Sequence, residues 1–313
     1  QREVVRNERR QNYEDEPYGV MWLELSEMMY PETHAYHWEG IGSHEDLLAA
    51  TLDTVQTFYA DWYSPDNATL CVSGDFDAEH VKARIEEWFG PLKPSGRTEH
   101  AEAPAIRAPV VSEKIVQDRV PLEAVVLAWH SPSYFEPGDA ELDILSDVLA
   151  GGSDARLTSD LVQERRLVQS LSVFQMSRRQ GSLFMVMAFL SPGADLAEVE
   201  RTIHANLAAL GSGEQPVTEH ELQQSRNGLE MSFIWGLETP LEKAEKLQSY
   251  LFYRGTTDYL EEDLLRYLSV DAEAVQAVTE TWLRPELAAR LIVEPRVDEE
   301  PEASPDSEEE ESP

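Results

Sequence analysis

Apolar residues recur along the chain with two periods, and the switches between them outline its elements. Residues 3–14 have helical spacing, with Val4, Val5, Glu8 and Asn12 on one face. Residues 18–41 are aromatic-rich without a sustained period and are expected to form a long ordered loop. Ser43 reads as a helix N-cap, with Glu45 and Asp46 in the first turn. A second helix carries Val55, Phe58, Tyr59 and Trp62 on one face and stops before Pro65. Residues 68–72 read as a short strand, and 81–89 as a helix ended by Gly90-Pro91. Strands follow at 110–116 and 124–129, then a helix over 142–149 closed by Gly151-Gly152, and a helix holding Leu157, Leu161 and Val162. Two more strands, around 171–174 and 183–190, lead into long helices that run to about Trp282, and a closing strand lies at 290–293. This mixture, with several helix-to-helix runs, favours an α+β layer fold over a regular βαβ barrel.

Composition divides the chain. Its 313 residues allow two domains, and 42% apolar residues supply material for packed cores. Residues 91–109, rich in Pro, Ala, Gly and charge, read as a linker between a unit over 1–90 and a second unit over 110–296. Residues 297–313 hold nine acidic residues, three prolines and no aromatic, the signature of a disordered acidic tail. Acidic residues outnumber basic ones 60 to 25, giving a net charge of −35 that repels phosphate backbones, so no nucleic-acid partner is expected. No run approaches the roughly 18 to 20 apolar residues of a membrane helix, so no span is expected. The lone Cys71 excludes an internal disulfide framework, and its apolar neighbours suggest a buried, inert thiol in a strand.

The pattern Trp62-x-x-Pro65-x-x-Ala68, leading into Leu70 and Val72, returns as Trp282-x-x-Pro285-x-x-Ala288, leading into Leu291 and Val293. A duplication is the reading this favours; helix, proline stop and apolar strand can also recur by chance. A duplication would place roughly 110 residues of the first copy upstream of Gln1.

No complete catalytic motif is present: there is no G-x-S-x-G, Walker loop, G-x-G-x-x-G, H-E-x-x-H or H-x-x-E-H. His34-x-x-His37 with Glu39 has spacing that could bind a metal, but in an aromatic loop packing and hydrogen bonding are the favoured reading. Glu8 follows Val4 by four residues on the apolar face, where a carboxylate is costly unless paired with a base such as Arg9 or bound to a cation.

Residues 1–19, QREVVRNERRQNYEDEPYG, resemble the segment that carries the distal zinc-ligand glutamate in the pitrilysin/insulinase (inverzincin) family of zinc metallopeptidases. The likeness continues through Gly40-Ile41-Gly42, FYADWYSPDNATLCVSGDFD at 58–77, and Trp88-Phe89-Gly90. It resumes at LAGGSDARLTSDLVQERRLVQSLSV (149–173) and VTEHELQQSRNGLEMS (217–232), and covers most of residues 1–296. The bacterial two-domain members that work as paired subunits are the most similar. The resemblance implies duplicated two-layer α/β domains of the mitochondrial-processing-peptidase-like type, the first of them incomplete here.

It further implies a zinc endopeptidase acting on peptides or small unfolded proteins. Zn2+ would be held by Glu8 and the two histidines of an H-x-x-E-H expected upstream, whose own glutamate is the general base. Many members carry an Arg and a Tyr seven residues apart that hold substrate; here those places align with Val162 and Gln169, with Arg165 and Arg166 beside them. The lack of that pair implies the zinc-bearing subunit of a heterodimer, its paralogous partner supplying Arg and Tyr. Family analogy favours the periplasm. The rival readings are a non-catalytic structural or chaperone-like subunit of the same fold, and an acidic surface-binding module acting through the tail.

Overall fold

A computed structural model describes residues 1–97 and 103–296; the expected acidic tail and the middle of the expected linker lie outside them. The second half of the chain is built on one five-stranded sheet. Its strands are β1 (Glu113–Asp118), β2 (Ala124–Ser131), β3 (Val168–Met176), β4 (Ser182–Leu190) and β5 (Ala289–Pro295), in the order β1-β5-β2-β4-β3. Only β1 and β5 run parallel; β2 is antiparallel to both β4 and β5, and β3 to β4. β2 is buried throughout and β4 nearly so, which is why both read as near-continuous apolar runs with no polar alternation.

Each face of the sheet has its own core. Val125, Leu127 and Trp129 of β2 point to one side, where they meet α6 (Asp139–Ala150), α7 (Leu196–Gly211), α8 (Glu219–Trp235) and α11 (Ala272–Trp282). Val126 and Ala128 point to the other, with Met185, Leu291 and Val293. The expected α+β class is borne out.

That second face is covered by a helix the sequence reading did not foresee. Within residues 18–41, expected to be a loop, α2 (Val20–Met29) buries Met21, Leu25, Met28 and Met29 on the sheet. Those four apolar residues follow i, i+4, i+7, i+8 spacing, a helical signal that the flanking aromatics and prolines obscured. Polar contacts fasten the helix at both ends. The Tyr18 backbone N–H donates to Asp118 (3.0 Å) and its hydroxyl to the Leu122 carbonyl (3.0 Å). Buried His130 donates from Nε2 to the Met29 carbonyl (2.9 Å), and burial pulls its pKa down to about 4, so the ring stays neutral.

In the first part of the chain, α1 (Arg2–Arg9) passes without a break into a π-helical turn over Arg10–Glu14. α3 (His44–Ala49) is capped by Ser43, α4 (Leu52–Trp62) by Thr51, and α5 (Ala78–Phe89) by Asp77. The Trp-x-x-Pro repeat is visible in three dimensions. α4 ends, a 3-10 turn covers Pro65–Asn67, and an extended segment follows; α11 ends, a 3-10 turn covers Pro285–Leu287, and β5 follows.

The two copies then differ. β5 lies between β1 and β2, whereas residues 68–72, expected as a strand, pair with no strand among the described residues. A strand exists only through its neighbours' hydrogen bonds, and none is offered here. Around it Leu52, Val55, Phe58, Tyr59, Leu70, Trp88, Phe89 and Leu92 are all exposed, Trp88 by 63%. Cys71 is accordingly half-buried in this extended segment; it is not sealed in a strand as expected.

Candidate functional site

Glu8 does not lie on a buried stripe. α1 buries no residue and Val4 is 61% exposed, because the helix is held to α3 by its arginines and its apolar face is left free. Arg2 donates to the Ala50 carbonyl (2.7 Å) and Arg9 to the Gly42 carbonyl (2.6 Å). Arg6 pairs with Glu3 (3.0 Å) and donates to His44 Nδ1 (3.3 Å), which leaves His44 Nε2–H for Glu14 (2.9 Å). Arg9 pairs with Glu14 (2.8 Å), so the anticipated Glu8–Arg9 pair does not form. Partial burial works to raise the Glu14 pKa, but His44 and Arg9 outweigh it and hold it below the usual value. Glu8 itself is exposed and makes no ion pair among the described residues.

A carboxylate so placed can serve as one ligand of a metal, not as a site. Zinc needs three protein donors for a catalytic centre, and the described residues contain no group of three His, Cys, Asp or Glu that could hold one. Among the described residues Glu8 thus stands as a single potential donor, and no chemical step is derived through a metal.

His34, His37 and Glu39 turn to different partners. His34 is buried, stacks on Tyr30 (4.6 Å) and accepts the Tyr36 N–H at Nδ1 (3.0 Å). His37 Nδ1 donates to the Tyr30 carbonyl (2.7 Å), and Glu39 accepts from Ser26. Each is engaged with a different neighbour, and the three do not converge into a metal-holding group.

The two segments quoted from the second half meet. Arg156 of the 149–173 run forks onto Glu221 of the 217–232 run, Nε to Oε1 at 2.6 Å and Nη2 to Oε2 at 2.8 Å, and also holds the Gln215 and Pro216 carbonyls. Burial raises the Glu221 pKa, but Arg156 and Thr218 override it and push it down to about 2. This clamp fixes the Gly151-Gly152 loop against α8 and frames an open cavity of about 280 Å³ lined by Asp147, Asp154, His220 and Gln224. Nearby, Val162 lies in a π-helical turn (Thr158–Glu164) and packs against the core, so it presents no polar group. Gln169 is exposed where the β3–β4 register slips, with Val168 opposite Leu190 and Ser170 opposite Phe189. Arg165 is committed to α7 through Glu198 and Thr202 Oγ1 (2.8 Å), while exposed Arg166 sits in a left-handed conformation (φ 54°).

One cluster went unforeseen. Asp139 and Asp143, one turn apart on α6, meet Asp263 and Arg266 of α10 (Leu260–Leu268). Arg266 spans Asp139 (3.0 Å) and Asp263 (2.9 Å); Tyr250, on α9 (Pro240–Arg254), donates to Asp263 (2.7 Å) and Tyr267 to Asp143 (2.9 Å). Burial, reinforced by Asp139, pushes the Asp143 pKa up to about 7. Acidic residues four apart within an apolar helix were the available signal.

Residues 49–229 match the family model described as the peptidase M16 inactive domain, over half of the chain, and the chain belongs to this family. It is 29% identical over 271 residues to the zinc protease PqqE of Helicobacter pylori, covering 83% of this chain and 59% of that one. It is 23% identical over 282 residues to the uncharacterized zinc protease YmxG of Bacillus subtilis, covering 90% and 66%. The chain thus spans under two thirds of the length of these relatives. Among solved structures, a protease from Helicobacter pylori superposes with a TM-score of 0.80 at 25% identity, covering 94% of this chain and 71% of that one. A peptidase M16 inactive domain from Pseudomonas fluorescens gives 0.79 at 20%, covering 96% and 71%, which shows the shared fold. The resemblance read from the sequence is borne out.

Proposed function

We propose that the chain is the C-terminal part of the zinc-bearing subunit of an M16 endopeptidase that acts on peptides or small unfolded proteins, with Glu8 as the distal zinc ligand. The observation that carries this reading is the state of α1: Arg2, Glu3, Arg6 and Arg9 all have partners, and among the helix's charged side chains Glu8 alone is left open to a ligand. The other two ligands and the general base belong to an upstream H-x-x-E-H. That upstream segment also brings strands beside residues 68–72 and covers the apolar residues exposed around them, completing a first domain over 1–90, apart from α2 on the sheet of the second, with a linker at 91–109 leading to the domain over 110–296. Val162 and Gln169 offer no cation or phenol to a substrate, so a paralogous partner subunit supplies the Arg and Tyr. Family analogy favours the periplasm.

The test is to express the whole gene product, with and without its paralogue, and to measure bound zinc and hydrolysis of a fluorogenic peptide. One zinc per chain, lost in Glu8→Gln, together with activity that rises with the paralogue, is the expected result. Zinc retained by Glu8→Gln would refute the ligand assignment.

The match to an inactive domain favours a second reading, a non-catalytic structural subunit of the same fold. An intact upstream H-x-x-E-H with measurable hydrolysis would dismiss it.

A further inference from the structure

A cavity of about 380 Å³ opens on the sheet domain, away from α1 and the Gly151-Gly152 loop. Ser131 and Ser133 at the end of β2, Arg179 at the β3–β4 turn, Ile106 and Arg107, and Trp282 at the end of α11 line it. Its floor is tied together by the chain itself. The Gly181 N–H donates to Ser133 Oγ (3.0 Å), the Tyr134 N–H to the Arg178 carbonyl (2.9 Å), and the Arg178 N–H to Ser182 Oγ (2.9 Å).

Two features make the cavity a site. Ser131 is 3% exposed, and its hydroxyl has no hydrogen-bond partner among the described residues. A buried hydroxyl left unsatisfied is costly, so a ligand that accepts a hydrogen bond from it is favoured.

The second feature is the state of the arginines. In a protein with 60 acidic residues, neither Arg107 nor Arg179 forms an ion pair or a hydrogen bond among the described residues. Both guanidiniums instead lie over aromatic rings, the Arg107 carbon 3.4 Å from the Trp282 ring centre and that of Arg179 5.1 Å from the Phe252 ring centre. Stacking occupies the face of a guanidinium and leaves its edge N–H donors free, in the planar fork that suits a carboxylate.

We infer that this cavity binds an organic carboxylate that carries an apolar group. The carboxylate lies between Arg107, Arg179 and Ser131 Oγ, and the apolar group rests against Ile106 and the Trp282 edge. The volume falls within the range of small-molecule pockets. The chain's net charge of −35 disfavours anions in general, so binding here depends on the local donors.

Isothermal titration of the 313-residue chain with N-acetylphenylalanine, N-acetylphenylalaninamide and inorganic phosphate tests this. The expected result is one site for the acid with a Kd below about 1 mM, with the amide and phosphate each at least tenfold weaker. Arg107→Gln and Arg179→Gln, both at exposed positions, should each weaken the acid about tenfold or more, and Ser131→Ala severalfold. Equal binding of acid and amide would overturn the assignment, as would phosphate as tight as the acid, no acid binding, or unchanged affinity in both arginine variants.

Discussion

Replacing Arg266 with Met tests how much the sheet domain depends on its buried charges. The guanidinium, itself 15% exposed, neutralises Asp139 and Asp263, whose side chains are 0% and 2% exposed. Its face also stacks on Phe135 (4.7 Å) and Tyr267 (5.1 Å). Methionine replaces part of that packing but not the charge, leaving Asp139 without a cation among the described residues and Asp263 with only Lys246 at 3.5 Å, both buried beside Asp143. Breaking a buried pair from one side costs about 3–5 kcal/mol, and in a domain of this size that lowers Tm by on the order of 10 °C. The deficit should depend on pH. Burial already raises the Asp139 pKa with Arg266 in place, so without it the carboxyl is protonated more readily as pH falls. Thermal unfolding of wild type and Arg266→Met at pH 8 and pH 5 should show a gap that narrows at the lower pH. Adding Asp139→Asn and Asp263→Asn to the methionine variant should restore part of the loss. A gap under about 1 kcal/mol at pH 8, or one that widens at pH 5, would refute the argument.

Three further outcomes are expected. Asp143 has a folded pKa of about 7, above its unfolded value, so its charge destabilises the fold as pH rises from about 4 to 7; Asp143→Asn should gain stability over wild type in urea at pH 8 and show little difference at pH 4. The isolated 313-residue chain should bind a hydrophobic dye through Phe58, Tyr59, Trp88 and their neighbours, and substituting Phe58 and Trp88 with Ser should cut the signal without lowering the unfolding midpoint of the sheet domain. Arg156→Met should free the Gly151-Gly152 loop and speed proteolysis there, while Arg165→Met, whose contacts are exposed, should leave the cutting rate nearly unchanged.

The sequence was most legible where local signals and packing agree. Val125 to Trp129 and Leu183 to Leu190 are apolar because both sheet faces are covered, so those strands were plain without a partner in view. Ser43 and Asp77 cap their helices as their chemistry requires. Residues 68–72 carried equally good strand chemistry and still form none, because pairing depends on partners distant in sequence, and no described strand lies beside them. The same limit applied to Glu8: helical spacing placed it beside Val4, but whether that face is covered is decided by tertiary contacts, and here it is open. α2 was lost for the opposite reason. Its methionines are flexible apolar side chains that fit any core, and nothing local indicated that they cross to a sheet built some hundred residues later.

That crossing bears on how the protein can be divided. A fragment cut to begin at Val110 would leave Val126, Ala128, Met185, Leu291 and Val293 facing water, because their lid is encoded before the α3–α5 segment. It would also lose the Tyr18 hydrogen bonds to Asp118 and Leu122, and the Met28 carbonyl that receives the Val110 and Val111 N–H groups. The chain therefore lays one cover of its sheet well before the first strand of that sheet is made. A ribosome that has released residues 1–100 has made a helix whose surface to bind does not yet exist.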